Sequence, residues 1–255
     1  MTISTVVPLD FDCAALSDMG RVRDHNEDSF LSLPENGLWA VADGMGGHSA
    51  GDFASAVIVR EMASVGVPVS AQDQRIRVLE RLDRAHAQIQ SHAARLGSQI
   101  VGSTVAALLV HDGEMTCIWA GDSRIYLLRD GALNRLTQDH SEVARLVAAG
   151  FLTEDEARHD PRRNVITSAV GIGNRPGTEL ATAIAQPGDV LLLCSDGLTE
   201  HVKDMEIATV LAGAGGGADM AAQLISMTLD RGAKDNVTVV VVRFLSADNA
   251  SEECD

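Results

Sequence analysis

The sequence predicts an α+β fold in which antiparallel sheets have helices layered outside them. Strand patterns occur in consecutive groups and helical patterns in pairs, so the strict alternation of strand and helix that a doubly wound parallel sheet needs is missing. No segment before the C-terminal tail has the composition of a linker. We therefore expect a single domain over residues 1–245 and a polar tail over residues 246–255.

The first half of the chain is expected to contain strands and then two helices. Apolar strand patterns cover residues 11–17 and 38–42. In residues 52–63 and 74–96 an apolar residue recurs every three or four positions, which is typical of helices that bury one face. The other face of the longer helix carries Arg, Gln, Asp and His, and we expect His86 there, exposed to solvent.

The second half returns to strands after a long polar excursion. The excursion, roughly residues 137–175, is expected to cross the surface as a flap with one short helix at 142–149. Two further helices should flank the glycine-rich tract AGAGGGAD. The strand patterns of this half cover residues 104–110, 115–120, 125–128, 190–194 and 237–244.

The chain is strongly acidic. It has 20 Lys and Arg against 36 Asp and Glu, a net charge of −16 and a pI near 4.8. Such a surface repels phosphate backbones and anionic lipids, so we expect no nucleic-acid partner and no membrane partner. The excess acids either keep the protein dissolved or gather at a cation site, and composition alone leaves both readings open.

Targeting and redox signals favour a cytoplasmic location. The first 18 residues have no basic start and no long apolar stretch, and no run approaches the roughly 18 apolar residues of a membrane span. The four cysteines lie far apart, and three of them fall in apolar runs. Buried thiols are therefore expected rather than disulfides or a zinc site.

Two segments with similar patterns each end in Asp-Gly. LWAVADG and VLLLCSDG are predicted to be buried strands that stop at Asp43 and Asp196, with the glycines allowing sharp turns. A single Asp-Gly is most often only a turn. Two of them after similar strands suggest carboxylates held at the rim of the sheets.

Other acidic residues stand at comparable places. Asp235 precedes the last strand, Asp122 lies in a tight turn between strands, and Glu27 and Asp28 are adjacent in NEDSF. Asp235 could instead be a solvated loop residue that starts the strand. Because neighbouring strand residues point to opposite faces, we expect only one of Glu27 and Asp28 to bind a given ion directly.

Hard divalent cations prefer oxygen ligands of this kind, namely carboxylates, backbone carbonyls and waters. No His–His or Cys–His spacing indicates zinc. Arg23, four residues before Glu27, is either a surface ion-pair residue or the counter-charge for an anionic substrate. The candidate ligands are Asp43, Asp196, Asp235, the Gly44 carbonyl and either Glu27 or Asp28.

At these residues the sequence resembles the metal-dependent protein Ser/Thr phosphatases (the PPM or type 2C phosphatases), in particular their compact bacterial branch. Five blocks occur in the family's order and span nearly the whole chain. They are SDMGRVRDHNEDSF (17–30), LWAVADGMGGHSAGDFAS (38–55), AGDSRIYLLRDGAL (120–133), DVLLLCSDGL (189–198) and KDNVTVVVV (234–242).

The resemblance implies a four-layer α-β-β-α sandwich with two central antiparallel sheets, and it implies a role for each site residue. Asp43 would bridge two Mn²⁺ or Mg²⁺ ions, with the Gly44 carbonyl on one ion and Asp196 and Asp235 on the other. Arg23 would bind the substrate phosphate. The acidic pair Glu27 and Asp28 would bind or orient the waters of the second ion, and Asp122 would hold a weaker third ion together with Asp196.

The implied reaction is hydrolysis of phosphoserine or phosphothreonine on proteins by a metal-activated water in one in-line displacement. The implied partners are phosphorylated protein substrates and a bacterial Hanks-type Ser/Thr kinase that the enzyme opposes. The alternative is an inactive relative that binds phosphoproteins as a scaffold. A metal-dependent nuclease or small-molecule phosphatase is a third reading, which the acidic charge disfavours where nucleic acid is concerned.

Two departures from the family's pattern affect how far the family's residue roles apply to this chain. Eukaryotic members have a proposed general-acid His two positions after the metal Asp, where this chain has Met45. His48 in GMGGHSAG is a substitute candidate, and a metal-bound water is another. In the flap the chain reads HDPRRNVITSAVG, with His159 displaced by one position and Ser168 where relatives often have Arg.

Overall fold

The computed structural model describes residues 9–46, 50–97 and 100–246. The strands are β1 (Leu9–Asp18), β2 (Asp28–Leu33), β3 (Leu38–Gly46), β4 (Val101–Ser103), β5 (Val105–His111), β6 (Glu114–Ala120), β7 (Arg124–Arg129), β8 (Ala132–Arg135), β9 (Glu179–Ile184), β10 (Val190–Cys194) and β11 (Val237–Ser246). The helices are α1 (Ala50–Ala63), α2 (Ala71–Arg95), α3 (Glu142–Ala148), α4 (Glu154–His159), α5 (Asp196–Thr199), α6 (Asp204–Leu211) and α7 (Gly217–Asp230).

The strands form two antiparallel sheets, as the sequence pattern predicted. One sheet has the order β1-β11-β10-β7-β8, and the other has the order β2-β3-β5-β6-β9, with β4 paired to the end of β3. The long β1–β11 ladder joins the first and last strands of the described chain, from Leu9 opposite Ser246 to Asp18 opposite Val237. This pairing brings both terminal regions of the fold to one sheet edge.

Side chains between the two sheets form the central core. On β3, Trp39 and Val41 face the other sheet, whereas the alternate residues Leu38, Ala40 and Ala42 face the helices. Because strand side chains alternate between faces, one strand serves two cores. Phe11 packs edge-on against Trp39, with ring centroids 4.9 Å apart. Burial of each large apolar side chain here contributes about 1.5–3 kcal/mol.

Two helical layers cover the outer faces of the sheets. Helices α1 and α2 pack on the β3-containing sheet, and α6 and α7 pack on the β11-containing sheet. On α2 the residues Val78, Leu82, Ala85 and Ile89 are buried at intervals of three or four positions, which is the spacing of a helix with one buried face. The layers therefore follow the order α-β-β-α, which confirms the expected architecture.

The structure corrects the expectation for His86. It is buried, and its Nδ1 accepts a hydrogen bond from the Gly171 N–H at 2.9 Å. Helical periodicity placed this residue on the polar face, but the last part of the flap, at Gly171, covers that part of α2. Burial lowers the pKa of His86 because the charged imidazolium loses its hydration there.

Several local expectations are also revised. β3 does not stop at Asp43 but continues to Gly46, because β4 pairs with this extension. The excursion between β8 and β9 contains two short helices, α3 and α4, rather than one. Strands β2, β8 and β9 had no clear apolar pattern, and β9 is an almost wholly exposed edge strand.

Cys117 and Cys194 are buried free thiols, as expected, and Cys13 is a half-buried one. Burial raises the pKa of both Cys117 and Cys194 to about 12, so these thiols stay protonated and unreactive. None of the helices in the described ranges combines the length and apolarity needed to cross a bilayer.

Candidate metal centre

The predicted acidic residues converge where the two sheets meet at their strand ends. Asp28 at the start of β2 lies directly opposite Asp43 on β3. Asp196 begins α5 just after β10, and Asp235 lies just before β11, so these two come from the other sheet. Asp122 lies in the bend between β6 and β7. Acidic residues as far apart in the sequence as 28 and 235 are thus brought to one site.

The carboxylates of this cluster raise one another's pKa. Burial is the largest cause that raises the pKa of Asp43, and the charges of Asp28, Asp196, Asp122 and Asp235 raise it further. For Asp196, burial is again the first cause, followed by the charge of Asp122. Because like charges disfavour each other's ionisation, a cluster of this kind is costly to ionise until a cation neutralises it.

Two members of the cluster are buried and have a carboxylate oxygen without a hydrogen-bond donor in the described structure. Asp28 and Asp122 are each only 9% exposed, and burial raises the pKa of each to about 6. Within the described residues, Oδ1 of each lacks a hydrogen-bond donor. Buried carboxylate oxygens are normally bonded, so these two are suited to a metal ion or its waters.

The donor set fits hard cations that keep much of their hydration. Across residues 9–46, 50–97 and 100–246, no group of three or more Asp, Glu, His or Cys side chains is arranged closely enough to hold a metal ion. Mg²⁺ and similar ions need only one or two carboxylates each, with backbone oxygen and waters completing the shell. An all-oxygen cluster with spaces between the carboxylates meets that requirement.

Gly44 and Gly51 let three segments meet beside the cluster. The Gly44 N–H donates to the Glu27 carbonyl at 3.1 Å, and a Cβ at Gly44 would collide with the Gly51 carbonyl oxygen. A Cβ at Gly51 would lie 2.7 Å from the carboxyl carbon of Glu27. Gly197 likewise has no room for a Cβ, against the Asn236 carbonyl. Neither Asp-Gly glycine has a positive φ, so close approach, not the expected sharp turn, explains both.

Glu27 itself lies just before β2 and points toward the start of α1. Burial raises its pKa, while a hydrogen bond from the Gly51 N–H lowers it. Its neighbour Asp28 is held from the opposite side, because Ser195 Oγ donates to Asp28 Oδ2 at 2.8 Å. The two adjacent acids therefore have different surroundings, in line with the expectation that they act differently.

Arg23 lies at the rim of the cluster. Its Nη2 donates to Asp235 Oδ2 at 2.6 Å, and its side chain is 54% exposed. The Asp235 hydrogen bond is the largest cause that raises the pKa of Arg23, and the charges of Glu27 and Asp43 raise it too. The structure thus places a permanent cation beside the acids and open to solvent.

Three supporting residues escaped the sequence-based reasoning. Ser195 is fully buried and, besides its bond to Asp28, accepts the Thr238 N–H at 3.0 Å. Thr104 Oγ1 accepts the Asp43 N–H at 3.1 Å. Asn236 bonds to the loop that carries Arg23. Two of them could have been found from their position in the sequence, because Ser195 directly precedes a predicted ligand and Asn236 directly follows one.

Two other predicted features have different outcomes. His48, the candidate general acid, lies outside the described residues. Met45 is described and lies on β3, half-buried, opposite Gly102 of β4. The flap reaches the site through Asn164, whose Nδ2 donates to Glu200 Oε1 at 3.3 Å, and the Glu200 charge raises the pKa of Asp122 and Asp196.

The protein is of the α+β class, with two facing antiparallel sheets between helix layers. At the strand ends it carries an oxygen-rich acidic cluster and an arginine. Such a site is suited to binding hard cations and an anionic substrate. A model of the family "Protein phosphatase 2C" matches residues 21–241. The chain therefore belongs to the protein phosphatase 2C family.

Individual relatives agree with this membership. The chain is 32% identical over 234 residues to a serine/threonine phosphatase, stp, of Listeria welshimeri, which covers 89% of this chain and 93% of the relative. PppA, a key regulatory component of T6SS in Pseudomonas aeruginosa, is 38% identical with a TM-score of 0.87, over 94% of this chain and 99% of that one. The catalytic domain of the phosphatase PstP in complex with two manganese ions is 36% identical with a TM-score of 0.82, over 94% and 100%.

Proposed function

We propose that this protein hydrolyses phosphoserine and phosphothreonine esters on proteins, using a water activated by two Mn²⁺ or Mg²⁺ ions. It is a protein serine/threonine phosphatase by family membership, and its relatives of similar length carry that name. The observation that carries the proposal is the buried cluster of mutually destabilising carboxylates, with unpartnered oxygens among the described residues, beside an exposed arginine.

We assign Asp43 to both ions, and this is supported by the charges of four other carboxylates that raise its pKa. The Gly44 carbonyl would complete one ion's shell, with Asp196 and Asp235 on the other. Glu27 and Asp28 would bind or orient waters, and Asp122 with Asp196 would hold a weaker third ion. When bound, the ions lower the pKa of water and stabilise charge on the transferring phosphoryl group.

Arg23 is the residue proposed to bind the phosphate. Its guanidinium can donate two parallel hydrogen bonds to phosphoryl oxygens, and its exposed position lets a protein-borne phosphate reach it. The ion pair with Asp235 holds the guanidinium beside the cluster. His48 remains the candidate for protonating the leaving serine or threonine oxygen.

The proposed partners are phosphorylated proteins and an opposing bacterial Hanks-type Ser/Thr kinase. The bacterial relatives support this, and the PppA likeness supports a regulatory role, such as in secretion. A cytoplasmic location fits the buried, protonated thiols. We also propose one catalytic domain over residues 1–245 with its flap at 137–175; the family match covers 21–241 of this span.

The direct test is hydrolysis of a phosphothreonine peptide with and without Mn²⁺. We expect Mn²⁺-dependent release of phosphate that EDTA abolishes, and Asp43→Asn should lower kcat/KM at least about a hundredfold because its carboxylate serves both ions. Asp83→Asn, an exposed acid on α2, is the matched control and should keep full activity. An Asp43→Asn variant as active as the wild type would overturn the assignment of the site.

The same assay separates the proposed enzyme from an inactive scaffold. A folded wild-type protein that binds the phosphopeptide but releases no phosphate at saturating Mn²⁺ would favour the scaffold. A comparison of rates on phosphopeptides and on nucleotides separates a protein phosphatase from a small-molecule phosphatase. We expect the phosphopeptide to be the better substrate.

A further inference from the structure

Residues 19–27 form a loop between β1 and β2, here called the arginine loop, which carries both Arg23 and Glu27. The loop contains no helix or strand, so local secondary structure does not fix the position of Arg23. A residue that binds phosphate by a two-pronged contact must nevertheless be held in place, because small displacements of such a group are costly to catalysis. The question is what holds this loop.

A single side chain, that of Asn236, makes three hydrogen bonds to the arginine loop. Its Nδ2 donates to the Met19 carbonyl and to the His25 carbonyl, both at 2.9 Å. Its Oδ1 accepts the Glu27 N–H, also at 2.9 Å. The amide therefore ties the beginning, the later part and the end of the loop to one point at the entrance of β11.

The surroundings of Asn236 leave it little freedom. The residue is only 6% exposed, and its own N–H donates to Asp235 Oδ1 at 2.9 Å. The arginine loop also donates the Arg21 N–H to the Ala233 carbonyl at 2.8 Å. Gly20, with φ +79°, lies so close to the Ala233 and Asp235 carbonyls that no side chain fits. The loop is thus laid along residues 233–236.

We propose that Asn236 is a positioning residue for phosphate recognition: through its three bonds to the arginine loop it fixes where Arg23 meets the substrate. This inference rests on the proposed function, in which Arg23 binds the phosphoryl oxygens. In this role Asn236 acts through Arg23 and not by contacting the substrate. Its amide is suited to the task because it offers two N–H donors and an acceptor oxygen, whereas a hydroxyl has one donor and an ionised carboxylate has none.

The test uses Asn236→Ala with Asn134→Ala as the matched control, since the Asn134 side chain is exposed on β8 and, among the described residues, makes a single long bond. Loss of the three bonds should raise KM for a phosphothreonine peptide about tenfold, with a smaller change in kcat. Asn134→Ala should leave both constants unchanged. An Asn236→Ala enzyme with wild-type KM would overturn the proposal.

A double-mutant cycle with Arg23→Ala separates positioning from general loss of structure. If Asn236 acts through Arg23, Asn236→Ala should raise KM much less in the Arg23→Ala background than in the wild type. Equal fold-changes in both backgrounds would refute the inference. If Asn236→Ala does not fold, Asn236→Ser serves in the same cycle, because its smaller hydroxyl leaves room for water to bridge to the loop carbonyls.

Failure of the proposed function would look different. In that case the wild-type protein would release no phosphate from the peptide, whatever residue stands at position 236. A wild-type enzyme that is active and insensitive to Asn236→Ala and Asn236→Ser would leave the phosphatase assignment intact and remove only the positioning role.

Discussion

At the residue scale, the site depends on side chains that hold the acids as much as on the acids themselves. Asp28 is buried with one oxygen unpartnered in the described structure, and its other oxygen accepts the Ser195 hydroxyl. Ser195 in turn accepts the Thr238 N–H, so its hydroxyl proton is committed to Asp28. The free oxygen of Asp28 is thereby presented in one orientation.

Removal of this hydroxyl should affect both stability and metal binding. We expect Ser195→Ala to lower the free energy of unfolding by about 1–3 kcal/mol, because Asp28 Oδ2 and the Thr238 N–H lose a buried partner. The Mn²⁺ concentration for half-maximal activity should rise several-fold. Chemical denaturation and a Mn²⁺ titration measure the two effects. The control is Ser91→Ala, an exposed serine whose hydroxyl donates to the Ala87 carbonyl within α2; unchanged Mn²⁺ dependence in Ser195→Ala would contradict the expectation.

The sequence revealed the acids but not their supports, for a physical reason. Asp43 and Asp196 stand out because a charged residue after an apolar strand conflicts with the local pattern. Ser195 and Thr104 do not stand out, because small polar residues are compatible with strands, turns and helix ends alike. Their roles depend on partners far away in sequence, 167 positions from Ser195 to Asp28, which only the tertiary structure supplies.

At the element scale, the start of α1 is packed directly against the acidic cluster. The first turn of this helix contains Gly51, whose N–H donates to the Glu27 carboxylate and whose carbonyl faces Gly44. The three segments that meet at this point are therefore helix α1, the end of β3 and the arginine loop. The glycines at 44 and 51 in the sequence GMGGHSAGDFAS allow this close approach. Movement of α1 would displace Glu27.

Gly51→Ala tests this contact. The added methyl would lie 2.7 Å from the Glu27 carboxyl carbon and 2.8 Å from the Gly44 carbonyl carbon, so the helix or the loop has to shift. We expect a lower Tm and weaker Mn²⁺ activation, although alanine is otherwise the better helix former. Gly216→Ala is the control, because its added methyl would lie at an ordinary 3.5 Å from Asp12. A higher Tm for Gly51→Ala, with normal activation, would show that the contact is loose.

The three strands β2, β8 and β9, which the sequence failed to predict, all lie at sheet edges. β8 and β9 are edge strands with exposed side chains, so neither has an apolar alternation to detect. β2 begins at Asp28 and was obscured by its acidic start. The core strands β5, β6, β10 and β11 matched their predicted ranges closely because they are buried on both faces and appear as continuous apolar runs.

At the scale of the whole molecule, the acidic cluster opposes folding unless it is protonated or bound to metal. The ordinary pKa of an aspartate is 3.8, and burial raises the pKa of Asp28 and Asp122 to about 6. Burial also raises the pKa of Asp43 and Asp196. The folded protein then binds more protons than the unfolded chain between those values. The contribution of these four groups to the stability without metal is therefore fully present below the unfolded pKa and is lost as pH rises through about 6.

The metal-free protein should accordingly lose Tm between about pH 4 and pH 7, a direction opposite to that of ordinary acid denaturation. Each carboxylate with a pKa near 6 contributes roughly 3 kcal/mol or less to this loss. Saturating Mn²⁺ should restore Tm at pH 7.5 by mass action, because the ions bind the folded state, and should have little effect at pH 4.5, where the cluster is protonated. Differential scanning calorimetry in EDTA and in Mn²⁺ measures both arms, with Asp28→Asn and Asp122→Asn expected to flatten the metal-free profile. A Tm in EDTA that rises from pH 4 to pH 7 in the wild type and in both variants would show that these carboxylates do not share the strained environment from which the metal centre was inferred.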